Sequence, residues 1–480
     1  MPELTRARLP RGRELVVLAI CCMSLLIVSL DNTALNVALP SIRRDLDASV
    51  SGLQWTIDAY TLVLACLLML AGSTADRIGR RKVFVTGLAV FALGSLLCSL
   101  APSLETLIAF RAVQAVGGSM LNPVAMSIIT NTFTEPAARA RAIGVWGAVI
   151  GVSMAAGPLV GGLLVESVGW RAIFWVNLPV AALALLLTLR YVPESRAPRP
   201  RRADPVGQLL VAVLLGSLTY AIIETDPLFA GIAAAALTGV LLYEPRRREP
   251  LIDLRFFRSA PFSGATVIAV CAFAALGGFL FLNTLYLQDV RGLSPLEAGL
   301  CMLPLAAMTF VFAPLSGRLT AARGPRPSLL LAGAATTAGP LLFAAFEAET
   351  SDPLLFTGYV LFGIGFGLVN APITNTAVSG MPRAQAGVAA ALASTSRQVG
   401  QTLGVAVIGA VLAAGMRAGA PEAFVTAARP GYWIVTGCGA AVLVVGALTS
   451  GAWARRTAER TARGLAEEEE PQRTAEAAST

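Results

Sequence analysis

Fourteen stretches of the chain are apolar over roughly the length that crosses a bilayer, and this repetition limits the fold more than any other feature. They run at about 15–38, 53–75, 83–101, 104–131, 140–165, 171–189, 206–223, 228–243, 262–287, 298–320, 328–346, 354–378, 387–414 and 432–453. A hydrocarbon core about 30 Å thick takes roughly 20 helical residues, and lipid offers the backbone no partner, so each stretch is expected as a helix that bonds to itself. The predicted fold is all-α, a polytopic membrane protein with 14 transmembrane helices. With 55% hydrophobic residues and 14% charged over 480 positions, the chain is too apolar for a soluble globule.

Charge placement gives an orientation. Of the 37 basic residues, 29 fall in the tails and alternate loops that share a side with the N-terminus. Six lie in the opposite loops (Arg43, Arg44, Arg171, Arg291, Arg417, Arg429), and Arg111 and Arg397 lie within spans. Basic residues accumulate on the cytoplasmic side, so both termini are expected in the cytoplasm, and the membrane is expected to be a bacterial cytoplasmic (inner) membrane. The net charge of +8 is thus explained by topology and does not require a nucleic-acid partner. Arg6, Arg8, Arg11 and Arg13 ahead of the first span look like the front of a signal peptide, but the span is long and holds Asp31, so a retained anchor is predicted. Seven scattered cysteines form neither a disulfide framework nor a metal cluster, and the absence of histidine excludes His-dependent hydrolytic, haem and zinc sites. No metal, no cofactor and no enzymatic activity are expected.

An internal repeat divides the chain. GSTADRIGRRK, Gly72 to Lys82, returns 245 residues later as GRLTAARGPRP, Gly317 to Pro327, with Gly72 on Gly317, Gly79 on Gly324 and Arg81 on Arg326. Pro123 and Pro136 meet Pro372 and Pro382 at a similar offset. Spans one to six therefore recur as nine to fourteen, giving two six-helix halves plus two inserted central helices. The expected segments are a cytoplasmic N-terminal tail, 1–14; an N-terminal half, 15–190; a linker with two inserted helices, 191–243; a cytoplasmic connector, 244–261; a C-terminal half, 262–453; and a disordered cytoplasmic tail, 454–480. Parallel repeats of this kind characterise transporters that expose a site between their halves to each side in turn.

The loop from Gly72 to Lys82 joins Asp76 to Arg77, Arg80 and Arg81 around Gly79. It reads as a gating latch in which Asp76 accepts from the start of the next helix or from an arginine of the other half; the alternative is a purely topogenic basic loop. Asp31 lies about seven residues from the outer end of span one, where an isolated carboxylate is expensive, and so is a candidate proton carrier or else a structural aspartate held by its neighbours. Arg111 and Gln114 of span four are at similar depth, and an Asp31–Arg111 interaction is geometrically open, as is a snorkelling Arg111. Arg397 should sit near mid-membrane, roughly 15 Å deep, and needs a carboxylate, carbonyls or an anionic substrate because it cannot readily lose its charge. Asn36, Asn122, Asn283, Asn370, Asn375 and Gln401 line a substrate cavity or glue helices together. In span five, Gly147, Gly151, Gly157, Gly161 and Gly162 permit close approach of other backbones, and Pro158 permits a kink.

Together these residues resemble the major facilitator superfamily, and within it the fourteen-span drug:proton antiporters, including the methylenomycin-resistance type and multidrug exporters. The resemblance covers about Leu15 to Trp453. It matches the cytoplasmic loop at Gly72–Lys82, the first-span motif at Leu30–Pro40, and the fourth-span motif linked to proton coupling at Arg111 and Gln114, although Ala115 replaces a usual glycine. Gly147 to Gly162 is similar to the fifth-span motif associated with antiporters. What the resemblance implies is proton-coupled efflux of a hydrophobic drug, antibiotic or natural product by alternating access, driven by the proton gradient, with the chain functional as a monomer. Uptake on the same fold and a membrane sensor are the rival expectations. Relatives that export multivalent cations often carry extra carboxylates in the second half, where this chain offers Arg397, so a neutral, zwitterionic or anionic substrate is expected over a dication.

Overall fold

The computed structural model describes residues 11–197, 204–247, 250–344, 350–379, 381, 385–416 and 421–478. Within them the order is α1 Arg11–Leu46, α2 Val50–Ile78, α3 Arg80–Ser99, α4 Leu104–Thr132, α5 Pro136–Ser167, α6 Ala172–Trp175, α7 Asn177–Tyr191, α8 Pro205–Ile223 and α9 Pro227–Tyr243. The second half follows as α10 Ala260–Leu285, α11 Pro295–Cys301, α12 Leu303–Arg323, α13 Pro325–Phe343, α14 Asp352–Val378, α15 Ala386–Gly415 and α16 Pro421–Thr449, and α17 Ala452–Ala478 closes the chain. Local sequence sets the boundaries. Ser49, Asp204 and Asp226 cap α2, α8 and α9, and Ser103 with Thr106 and Ser294 with Glu297 form reciprocal capping boxes on α4 and α11. Prolines occupy first-turn positions on α5, α8, α9, α11 and α13, where their missing N–H costs nothing.

Among the described residues, twelve helices are long and apolar enough to cross a membrane, or thirteen when the bent pair at 137–154 and 156–167 is taken as one span. The bend in α5 is 40°, and it follows from Pro158, which has no N–H for the carbonyl of Met154 one turn back. The expected count of fourteen is not reached on this measure. The missing span, expected at 328–346, is α13, which packs between α14 and α16, but Arg326, Pro327, Ser328, Thr336 and Thr337 dilute its apolar content. The chain is a multi-pass membrane protein, all-helical in its regular structure among the described residues.

The repeat is visible in the packing. In the first half α1 lies along α5, α2 along α4, and α3 along α4 and α7; in the second, α10 lies along α15, α12 along α14, and α13 along α14 and α16. The two loops that announce the repeat in sequence share a backbone feature, for Gly79 and Gly324 take φ of 126° and 78°, a region L side chains rarely adopt. Pro382, a further match in the repeat, lies outside the described residues. The inserted pair α8–α9 is peripheral: α9 packs on α8, and α8 touches both α2 and α15. Gln208 donates to the carbonyl of Cys66, and Trp55 Nε1 donates to Glu224 Oε1 at 2.8 Å, tying both ends of α8 to α2.

The tail expected to be disordered over 454–480 is instead helical through Ala478. Its Ala, Glu and Arg content favours helix as readily as disorder, and Ala454, Ala458 and Leu465 are buried. The Thr457 hydroxyl also accepts from the free N–H of Ala260 at the start of α10, at 3.0 Å.

Candidate functional site

Asp31 is wholly buried on α1, and three side chains from other helices converge on it. Its Oδ2 accepts from Arg111 Nη1 of α4 at 2.5 Å, and its Oδ1 accepts from Gln114 Nε2 at 2.9 Å and from Asn177 Nδ2 of α7 at 2.8 Å. Arg111 heads the fully buried side chains by volume among the described residues. It also donates to Gln114 Oε1 at 2.8 Å and to the Thr56 carbonyl of α2 at 3.3 Å, and its guanidinium lies 4.2 Å from the centre of the Tyr60 ring. Asn177 donates further to Ser95 Oγ of α3, whose hydroxyl is fixed on the Phe174 carbonyl. The expected meeting of Asp31, Arg111 and Gln114 thus occurs, and the snorkelling alternative for Arg111 does not.

A site this dense needs small residues behind it. Gly94 of α3 lies against the Gln114 backbone so closely that an added Cβ would stand 2.5 Å from its Cα, and Gly118 leaves room for the Tyr60 hydroxyl. A buried pair is only as good as its geometry, and removing one partner leaves the other charge stranded at a cost of about 3–5 kcal/mol. Asp31→Ala should therefore lower stability by about that amount, whereas Asp31→Asn, which keeps an acceptor for Arg111, should cost clearly less. Thermal unfolding of the purified variants, followed by size exclusion, measures the difference, and equal losses would mean that the pair contributes no net attraction.

Two members of this region escaped the sequence reading. Asn177 is an ordinary amide at the start of an apolar helix, and only the short turn through α6 brings it to Asp31. Asp58 carried the signal used for Asp31, a carboxylate inside an apolar run, and was passed over. It is completely buried on α2, its Oδ1 accepts from Thr61 Oγ1 at 3.4 Å, and its Oδ2 has no partner.

Asp58 stands beside the seam between the halves. One turn away, Gln54 Nε2 donates to the carbonyls of Val405 and Ala406 on α15 at 3.1 and 2.7 Å, and the Thr61 and Thr402 hydroxyls bond at 2.8 Å. Further contacts across the halves lie toward the same end of the bundle: Gln288 with the Val37 carbonyl at 2.8 Å, Arg43 with Asp289 at 3.4 Å, and Glu166 with Ser294 at 2.7 Å. Gln288 and Asp289 belong to a single π-helical turn, Tyr286–Val290, that ends α10. The glycines of α5 follow the same division. Gly157 and Gly161 admit Thr33 and Ala34 of α1, Gly162 meets the Pro295 carbonyl, and the carbonyl of Pro158 meets Gly299, while Gly151 faces Phe310. Gly147, nearer the opposite end, has open space beside it.

At that opposite end Asp76 takes the first of its two expected partners. Arg80, at the start of α3, donates to Asp76 Oδ1 through Nε at 3.1 Å and Nη2 at 2.8 Å. Gly79 lets the linker pass, since a Cβ there would stand 2.6 Å from the Glu194 carboxylate, which accepts from the Arg81 N–H. Arg77 is exposed and Gly72 only touches Pro123.

The expected cavity residues take different partners. Asn36 bonds back to the Asn32 carbonyl, leaving its Oδ1 buried and unpartnered, as is Oδ1 of Asn122. Asn283 is glue, accepting from the Tyr359 hydroxyl of α14 at 2.7 Å, and Gln401 packs on Gly277 of α10. Asn375 is exposed. Asn370 and Arg397 do meet, with Arg397 Nη2 donating to the Asn370 carbonyl at 3.4 Å and to Thr374 Oγ1 at 2.5 Å.

The sequence model of the Major Facilitator Superfamily matches residues 21–405. The chain is 38% identical over 414 residues to the multidrug resistance protein Stp of Mycobacterium tuberculosis, covering 84% of this chain and 77% of that one. It is 37% identical to the tetracenomycin C resistance and export protein of Streptomyces glaucescens, over 84% and 77% of the two chains. To the methylenomycin A resistance protein of Streptomyces coelicolor it is 35% identical, over 86% and 88%. Among solved structures, a bacterial homologue of the human lysosomal transporter Spinster in an inward-facing, occupied conformation superposes with a TM-score of 0.65 at 19% identity, covering 94% of this chain and 98% of that one. The nucleoside transporter NupG gives a TM-score of 0.66 at 13% identity, over 91% and 100%. These two likenesses establish the fold.

Proposed function

The chain belongs to the Major Facilitator Superfamily, and from that premise we propose that it exports a hydrophobic drug, antibiotic or natural product across a bacterial cytoplasmic membrane in exchange for protons. The observation that carries the reading is the buried network on Asp31, where a carboxylate and an arginine from different helices are held by Gln114 and Asn177. A proton arriving at Asp31 removes the charge that Arg111 answers, so the five helices joined by the network, α1, α2, α3, α4 and α7, must readjust. The names of the relatives support drug-like substrates. The bias of basic residues supports cytoplasmic termini; the end where the halves touch is then external, and this conformation is closed to the outside. A single chain holds both halves and acts as a monomer.

The energetics suffice without a cofactor. One charge crossing 100 mV supplies about 2.3 kcal/mol, and about 1.4 kcal/mol is tenfold in concentration, so one proton supports a gradient of roughly 40-fold for a neutral substrate. In proteoliposomes with an imposed pH gradient, antibiotics that are substrates should accelerate collapse of the gradient and move against the protons. Movement in the same direction as the protons would establish uptake instead, and no response to any compound in a broad panel would count against exchange.

A further inference from the structure

Arg397 differs from Arg111 in what answers its charge. It lies well inside α15, and its contacts among the described residues are neutral: Thr374 Oγ1 at 2.5 Å, the Asn370 carbonyl at 3.4 Å, and the Phe273 ring, whose centre is 5.9 Å away. Its Nε is buried without a partner, and no carboxylate among the described residues pairs with it. Phe273 in turn meets Phe366 of α14 edge to face, with centroids 5.2 Å apart. The place is not sealed, since Arg397 and Asn370 are half-buried and Thr374 is exposed.

A guanidinium keeps its charge at any working pH, and an unanswered charge at membrane depth is costly. Its fork of donors suits a planar oxyanion better than a lone carbonyl, and the half-buried Phe273 ring beside it, held edge to face by Phe366, suits an aromatic body. We propose that Arg397, with Phe273 beside it and Phe366 backing that ring, recognises an acidic aromatic substrate through its delocalised oxyanion, typically a carboxylate. The assignment rests on the export reading and narrows it. A multivalent cation would meet Arg397 as a like charge. Export of the acid also changes the electrical balance: an anion leaving and a proton entering each carry one positive charge inward, so two charges move per cycle, against one for a neutral substrate.

The test uses the purified full-length protein, wild type, Arg397→Gln and Arg397→Lys, with pyrene-1-carboxylate and its methyl ester as matched probes followed by fluorescence. Wild type should bind the acid roughly ten- to a hundredfold more tightly than the ester, the worth of a charge-assisted bidentate contact. Arg397→Gln should bring the two to parity without weakening the ester, and Arg397→Lys should fall between. Equal binding by wild type, no binding of the acid, or a preference that survives in Arg397→Gln overturns the assignment. Should Arg397→Gln fail to elute as a folded protein, the wild-type ratio and the Lys variant still decide. Proton flux separates the two readings: a lost acid preference with antibiotic-driven proton movement intact removes only the substrate class. An acid preference without proton movement removes export and leaves an anion-binding site.

Discussion

Asp31→Asn is expected to bring substrate-driven proton movement down to the level of protein-free liposomes while the protein remains folded. The amide has the shape of the carboxylate, and its oxygen still accepts from Arg111, so the contacts of α1, α4 and α7 survive in outline. What it cannot do is gain and lose a proton, nor switch the charge opposite a guanidinium that never switches its own. Its amide nitrogen also brings a donor to the position of Oδ1, where Gln114 and Asn177 both donate, so both of those amides must turn over. Flux that persists in Asp31→Asn would move the proton carrier elsewhere, and Asp58, with a buried oxygen that nothing answers, is the residue to replace next.

Locking α2 to α15 should stop transport altogether and reversibly. The hydroxyls of Thr61 and Thr402 touch at 2.8 Å across the seam between the halves, close enough for cysteines there to be oxidised to a disulfide. In a background with the seven native free cysteines replaced, Thr61→Cys with Thr402→Cys should transport when reduced and cease when oxidised, and a reductant should restore it. A site exposed to each side in turn requires this seam to part, so locking it must stop the cycle. Full transport by the oxidised protein would show that the halves need not separate there.

The parts of the site that were legible in sequence are those where a charge interrupts an apolar run. Asp31, Arg111 and Arg397 stand out because their burial needs a reason, and matched depths alone suggested the first two could meet. The closest support for that pair was not legible, because Asn177 reaches Asp31 only after the chain turns through Gly169, at φ 109°, and the short helix α6. Asp58 was legible and overlooked. The glycines of α5 announced close packing but not their partners, which lie on α1, α11 and α12, far away in sequence. The tail beyond Trp453 failed for a different reason: alanine, glutamate and arginine suit a helix and a disordered segment alike, and burial of Ala454, Ala458 and Leu465 decided between them.

The placement of α8 makes the two flanks of the transporter unequal. The pseudo-symmetric halves meet at α1 with α10 and along two flanking seams, α2 with α15 and α5 with α11 and α12, and among the described residues only the first flank has a further helix laid across it. On that flank the acyl chains of the bilayer meet α8 before they meet the seam, and Gln208 and Glu224 fasten the cover at both ends. On the other flank Val145, Ile150, Val152, Phe310 and Val311 remain exposed beside the seam, so a greasy molecule dissolved in the leaflet finds one side door shuttered and the other facing it.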